Sequence, residues 1–479
     1  MLVATNSQGA APAKPNIVFI LSDDHSIQTI GAYNSRLSEF CRQHAVTPNI
    51  DRLAAEGGLF VNSFCGNSIC SPSRATILTG LHSHANGVRN LSQSITEGLW
   101  TYPRSLNDAG YQTAVIGKWH LARTVPEFQH WQIFPDQGTY HDSVFKNATG
   151  RETIAGYVTD VVTEMSVDWI AKRDRAKPFF IAVQHKAPHR NFIPPPRHAT
   201  WLDGVEIPEP DTLFDDYSGR ASPARNQKMT VDQELMLEHD LKVGGKDAVD
   251  PRYAARNADY AKRQPVGRNL VRWKYQLYLK DYLRCVKAVD DGVGRLLEAL
   301  KTEGIDQQTI VIYSSDQGFF MGEHGWMDKR WIYEESLHMP LIIRWPGVIP
   351  PGTRYSEFVQ NKDYAPTFVK LAGGRIPAGL HGRSFVPILR GQTPEDWQRS
   401  VYYHYYDSGH GVAKHYGLRS QRFTLARFYT TDEWELFDND RDPQQMRSVA
   451  GDPDYAKDLA QQRDELQKLR AEYGDTDGS

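Results

Sequence analysis

The stretch Asn16–Ser26, NIVFILSDDHS, runs an unbroken apolar segment straight into two adjacent carboxylates and a histidine. A segment that is apolar at every position, rather than at alternate ones, predicts a strand buried on both faces. Gln112–Gly117, Phe179–His185, Thr309–Ser315 and Leu341–Trp345 have the same character. Between them lie helical patterns at Pro48–Glu56, with Thr47 as cap and Pro48 in the first turn, and at Ser73–Thr79. Longer ones follow at Ile154–Lys172, Leu270–Thr302 and Ala365–Ala372. Strands alternating with helices predict an α/β fold, a large sheet flanked by helices.

Past Leu380 the texture changes. VYYHYY, YGLRS, FTLARFY and WELF crowd together before a polar helix at Tyr455–Tyr473. That predicts a smaller α+β part, an antiparallel sheet with a terminal helix, and divides the chain into 14–380 and 381–479. Trp201–Pro265 is charged and weakly periodic, and reads as a long surface excursion able to cover a cleft.

The 479 residues carry 55 Lys+Arg against 58 Asp+Glu, a formal charge of −3, with 40% hydrophobic and 24% charged residues. These are values of a globular chain, and the near-neutral balance argues against a sequence-independent nucleic-acid binder. No apolar run approaches the roughly 20 residues of a membrane helix. The amino-terminal MLVATNSQGAAPAKPN has no apolar signal core and reads as a mature end. Four cysteines, Cys41, Cys65, Cys70 and Cys285, are too few for a disulfide scaffold, although one Cys41–Cys65 bridge is an option. Asn90-Leu91-Ser92 and Asn147-Ala148-Thr149 match the glycosylation acceptor pattern, which has meaning only in a eukaryotic secretory context.

Asp23 and Asp24 sit where open α/β sheets place ligands, at the carboxyl end of a strand. Adjacent carboxylates there repel unless a cation or a proton lies between them. TIVIYSSDQG repeats the pattern and ends in Asp316 and Gln317. Together these make an all-oxygen set suited to Ca²⁺ or Mg²⁺ rather than Zn²⁺. In FCGNSICSPSRATILTG, Pro72 marks a helix start, which puts Cys70 at a helix amino terminus with Arg74 one turn in. A cysteine in that position, taken alone, suggests a low-pKa thiolate.

The strings SDDHS, CSPSRATILTG, GKWHL, KAPH, SSDQG, GEHGW and DKR span most of the chain and together resemble the formylglycine-dependent sulfatases of the alkaline-phosphatase superfamily. The resemblance implies an alkaline-phosphatase-like large mixed sheet. It also implies that Cys70 is oxidised to formylglycine by a maturation enzyme, and is neither a working thiolate nor half of a disulfide. One Ca²⁺ would be held by Asp23, Asp24, Asp316, Gln317 and residue 70. Lys118 and Lys329 would bind sulfate beside Arg74, His120 would bond the hydrated aldehyde, and His189 would protonate the leaving oxygen. His185 competes with His189 for that last role. The family's fourth metal ligand is commonly Asn or His, and Gln317 departs from it while still offering an amide oxygen.

His324, His404, His415 and Arg419 are candidate contacts to sugar hydroxyls, each with a bland alternative as core or loop-holding residue. The texture is similar to bacterial sulfatases of sulfated glycans. N-acetylglucosamine-6-sulfate and related glycosaminoglycan enzymes stand nearest, and enzymes of ulvan, fucan or carrageenan share much of it. The implied partner is a sulfated carbohydrate, and the implied location is the periplasm or exterior of a bacterium. Two alternatives remain: a phosphonate monoester or phosphodiester hydrolase with the same nucleophile, or a sulfated-glycan binding protein if Cys70 is unmatured. A phosphomutase or nuclease of the superfamily would want Ser or Thr at position 70 and a zinc-type ligand set.

Overall fold

A computed structural model describes residues 14–122, 127–245 and 249–478. The segment read as a mature end therefore lies outside the described residues, apart from its last three positions. The main sheet has ten strands: β1 Asn16–Ser22, β2 Gly58–Phe60, β3 Gln112–Lys118, β4 His130–Phe134, β5 His141–Asn147, β6 Gly150–Tyr157, β7 Phe179–Gln184, β8 Thr309–Ser315, β9 Leu341–Arg344 and β10 Thr353–Tyr355. Their spatial order is β10-β2-β9-β8-β1-β7-β3-β4-β5-β6.

The centre of this sheet is parallel. Val18 of β1 lies between Ile181 of β7 and Val311 of β8, and Ala114 of β3 pairs with Ile181 on the far side. Antiparallel pairings of β9 with β8, and of β5 with β4 and β6, make the sheet mixed. Every residue of β1 is buried because successive side chains feed two cores. Ile17, Phe19 and Leu21 join the core that holds α2 (Cys70–Thr79) and α5 (Tyr364–Leu371). Val18 and Ile20 join the opposite core, with α1 (Pro48–Glu56), α3 (Val158–Lys172) and the 35-residue α4 (Arg268–Thr302).

A second sheet, antiparallel, orders β11 Ser400–Tyr405, β12 His415–Ser420, β13 Phe423–Phe428 and β14 Glu433–Asp438 in sequence. Helix α6 (Ala456–Tyr473) lays Leu466, Leu469 and Tyr473 against Leu418, Leu425 and Leu436 of that sheet. Among the described residues no helix is long and apolar enough to cross a membrane.

Several expectations are corrected. The helix expected from Ile154 begins at Val158, because Gly150–Tyr157 is a strand of an edge hairpin with His141–Asn147. Helix α2 begins three residues before Ser73, so Cys70 is its first residue. Thr47 stands at the start of α1 but does not cap it through its side chain. Asp290 of α4 does so across the core, accepting from the backbone N–H groups of Asn49 and Ile50 at 2.8 and 2.9 Å. All four cysteines are free and buried, which removes the Cys41–Cys65 bridge. The Trp201–Pro265 segment is more than a surface excursion: Ile207, Leu213, Met229, Val231, Leu235 and Leu241 are buried in the two main cores.

Candidate active site

Because β8, β1, β7 and β3 are parallel neighbours, their carboxyl ends open at one edge of the sheet. Asp23 and Asp24 follow β1, and Asp316 and Gln317 follow β8. Lys118 ends β3 with His120 two residues on, and Lys186 and His189 follow β7. Helix α2 brings Cys70 and Arg74 to the same place, and the loop after Gly322 brings Lys329.

The contacts converge on position 70. Cys70 Sγ is 3.4 Å from Asp23 Oδ1 and 3.4 Å from Lys329 Nζ, with the Gln317 amide nitrogen at 3.9 Å. Lys329 Nζ is 2.5 and 2.6 Å from the two oxygens of Asp24, and Lys118 bonds the second oxygen of Asp23. Lys118 also donates to Gln137 Oε1 at 2.6 Å. Arg74 spans the sheet edge, donating to Asp316 Oδ2 at 3.0 Å, the Lys118 carbonyl at 2.9 Å and Gln184 Oε1 at 3.0 Å. The backbone N–H of Asp24 donates to Asp316 Oδ1 at 3.1 Å.

One ligand atom each from Asp23, Asp24 and Asp316 falls within 4.8 Å of the others, and all three residues are buried. Burial and the neighbouring Asp23 push the Asp316 carboxyl well above its ordinary range. Burial pushes Asp24 up to about 6 against the pull of Lys329. Asp23 is also raised by burial, but Lys118, His189, Arg74 and Lys329 outweigh that and hold it well below the usual range. Carboxylates this close call for added positive charge. Gln317 adds a buried amide oxygen with no hydrogen-bond partner, beside its own nitrogen bonded to Asp24. Oxygens alone, one of them orphaned, fit a hard divalent cation such as Ca²⁺.

The thiol departs from the low-pKa expectation. Burial, then the Asp23 charge, push Cys70 up to about 12, outweighing Lys118 and Lys329. Its sulfur is a buried neutral thiol, not a thiolate nucleophile.

His189 and His120 flank the cluster. His189 Nδ1 lies 2.5 Å from the Arg190 carbonyl oxygen, which leaves Nε2 turned inward, 3.8 Å from Asp24 Oδ2. Its loop is pinned from outside, where Arg190 meets both oxygens of buried Asp240 at 2.7 Å. His120 has φ 49° and places Nε2 3.4 Å from Asp136, while its carbonyl accepts from Ser71 at 2.7 Å.

His185, the competitor of His189, is fully buried, and its ring lies near Gly292 of α4, on the core side of the sheet. Nor does the structure bring the expected sugar contacts to this cluster. His324 is buried against Asp215 and Arg220 at 3.2 and 3.1 Å. His404 bonds Asp475 at 2.8 Å. His415 donates to the Ala413 carbonyl at 2.8 Å and accepts from the Ile332 N–H at 3.1 Å. Arg419 pairs with Glu334 at 2.9 Å. These bonds hold loops and strands together, although Nε2 of His324 is buried without a hydrogen-bond partner.

Other groups at the site were missed. Lys186 is buried, its ammonium 5.2 Å from the Tyr140 ring centroid, and burial with the nearby Lys118 charge lowers it to about 8. Arg330 is buried beside Lys329 and pairs with Asp328 at 2.7 Å. Both lie inside strings already singled out, KAPH and DKR, but nothing in a string says which members turn inward. Gln137 follows β4, a strand without an apolar run to announce it.

A family model described as Sulfatase matches residues 15–374, and one described as N-sulphoglucosamine sulphohydrolase, C-terminal, matches 322–472. The chain is 41% identical to an N-acetylglucosamine-6-O-sulfatase of Bacteroides thetaiotaomicron, over 98% of this chain and 89% of that protein. It superposes with TM-score 0.93 and 41% identity on a protein solved in complex with its substrate D-glucosamine-2-N,6-O-disulfate, covering 97% of this chain and 99% of the other. A phosphonate monoester hydrolase of Agrobacterium radiobacter shares the fold, at TM-score 0.68 and 22% identity over 96% of each chain.

Proposed function

The chain belongs to the sulfatase family and is a sulfuric ester hydrolase, and on that footing we propose that it removes the 6-O-sulfate of a glucosamine residue in a sulfated glycan. The observation that carries this reading is the clustering of Lys118, Lys329 and Arg74 with three buried carboxylates around position 70. The identity to an N-acetylglucosamine-6-O-sulfatase supports the sugar and the position.

Oxidation of Cys70 to formylglycine would supply a hydrated aldehyde as the hydroxyl nucleophile toward sulfur. A Ca²⁺ held by Asp23, Asp24, Asp316 and Gln317 would supply positive charge to the transferred sulfate. Lys329 and Lys118 flank position 70 and neutralise charge on the transferred group from fixed positions, so no reorganisation is needed during reaction. His189 presents Nε2 to the cluster because Nδ1 is held by the Arg190 carbonyl, and from Nε2 it hands a proton to the departing sugar oxygen. His120, steadied through the Ser71–His120 carbonyl bond, accepts a proton as the sulfate is released.

The test is release of inorganic sulfate or phosphate from a panel of defined esters. N-acetylglucosamine and glucosamine 6-sulfates should be turned over at least tenfold faster than 2-O- or 3-O-sulfated isomers, phosphodiesters or phosphonate esters. Preference for a phosphodiester or phosphonate ester would replace this reading with that of a phosphonate monoester hydrolase.

A further inference from the structure

Beside the cluster, and sharing His120 and Asp136 with it, is a groove of about 370 Å³. Trp119 and Trp131 line it, and Lys146 and Arg151 reach it from the edge hairpin of β5 and β6. The two cations are not scattered. Lys146 and Arg151 are directly opposed across the hairpin, and Lys146 also pairs in register with Ile133 on β4. Like charges in opposed positions destabilise a strand pair. Neither side chain forms an ion pair among the described residues, and the carboxylate that shares the groove lining with them is that of exposed Asp136. Arg151 stands on the edge strand β6, where a cation can block strand addition, but Lys146 is paired on both sides and has no such purpose, and neither needs a concave setting. A cavity of this size with an apolar wall and a few placed charges has the make-up of a small-ligand site.

We propose that this groove is a subsite for the sugar ring that adjoins the sulfated residue, and that Lys146 and Arg151 bind an anionic group on that ring. The inference rests on the sulfated-glycan reading above and names the kind of glycan: one acidic at the neighbouring sugar, through a carboxylate or a second sulfate. Part-exposed Trp131, backed by buried Trp119, offers an apolar wall to the C–H side of the ring, and the cations select for its charge. His120 marks where the groove meets the reacting centre.

The test compares sulfate release from 6-sulfated glucosamine linked to a uronic acid, to a sulfated hexose or to an uncharged hexose. The wild-type protein should favour a charged disaccharide over the neutral one by about tenfold in kcat/KM, and 0.5 M NaCl should erode that preference. The Lys146→Ala/Arg151→Ala double variant should bring the charged-to-neutral ratio close to one. Which charged arm gains more in the wild type distinguishes carboxylate from sulfate. An unchanged ratio in the double variant overturns the subsite, including the case where all rates fall together. If no glucosamine sulfate is turned over, the functional reading fails by itself. The subsite is then judged by calorimetric binding of the unsulfated uronic acid disaccharide. Weakening of about tenfold in the double variant supports it, and equal or absent binding overturns it.

Discussion

Lys329 Nζ lies 3.4 Å from the sulfur of Cys70 while both oxygens of Asp24 hold it from behind at 2.5 and 2.6 Å. Held this way, the ammonium meets an incoming sulfate at a fixed point beside the reacting atom. Lys329→Ala should therefore lower kcat/KM for a sulfate ester by about 10²- to 10³-fold. Lys329→Arg should recover little of it, because a planar guanidinium cannot replace a compact ammonium there. Steady-state kinetics on N-acetylglucosamine 6-sulfate checks both.

Lys329 is itself held through His415, which accepts the Ile332 N–H and stacks on the Trp331 ring at 5.3 Å. His415→Phe keeps a ring in the stack but strands a buried N–H, at a cost of about 1–3 kcal/mol. Loosening of the loop should appear as a fall in kcat of roughly tenfold, which corresponds to about 1.4 kcal/mol on the barrier. A rise in KM at constant kcat would instead assign His415 to substrate contact.

Removing divalent cations should lower stability as well as activity, because Asp23, Asp24 and Asp316 are crowded together and buried. Chelation with EGTA should lower the melting temperature, and adding Ca²⁺ should restore it in a saturable way. At 100 times its dissociation constant the ion contributes about 2.7 kcal/mol. Asp316→Asn should abolish that Ca²⁺-dependent shift.

Away from the site, buried Asp281 of α4 meets Arg256 at 2.7 and 2.8 Å, Arg284 at 3.1 Å and Lys242 at 3.4 Å. Burial raises its carboxyl, but these cations outweigh that and hold it far below the usual range. A carboxyl depressed in the fold contributes stability that is complete above its unfolded pKa of about 4 and is lost as pH falls below that value. Urea unfolding midpoints between pH 3 and 7 should show this acid limb in the wild type and a flatter one in Asp281→Asn. At pH 7 the variant should be less stable by about 3–5 kcal/mol, the usual cost of leaving buried charges unpaired.

The sheet centre was legible because full burial on both faces writes itself as an unbroken apolar run, as in Asn16–Ser22 and Thr309–Ser315. The edge hairpin was not, since β6 is largely exposed, β5 is only partly buried, and their alternation is mostly between polar residues. Position along a strand end was enough to collect Asp23, Asp24, Asp316 and Lys118 at one edge. It was not enough for His404 and His415, where the neighbours that claim them, Asp475 and Ile332, are distant in the chain. Arg330 and Lys186 escaped notice because inward orientation depends on loop geometry, for which a short motif carries no period.

Sulfate ester hydrolysis at this site turns on what residue 70 becomes. Mass spectrometry of the peptide containing Cys70, from protein that releases sulfate, tests it most directly. Conversion to formylglycine predicts a mass about 18 Da below that of the thiol form, with sulfate release that scales with the converted fraction and vanishes in Cys70→Ala. Full sulfate release from protein whose Cys70 peptide carries only the unmodified thiol would contradict it.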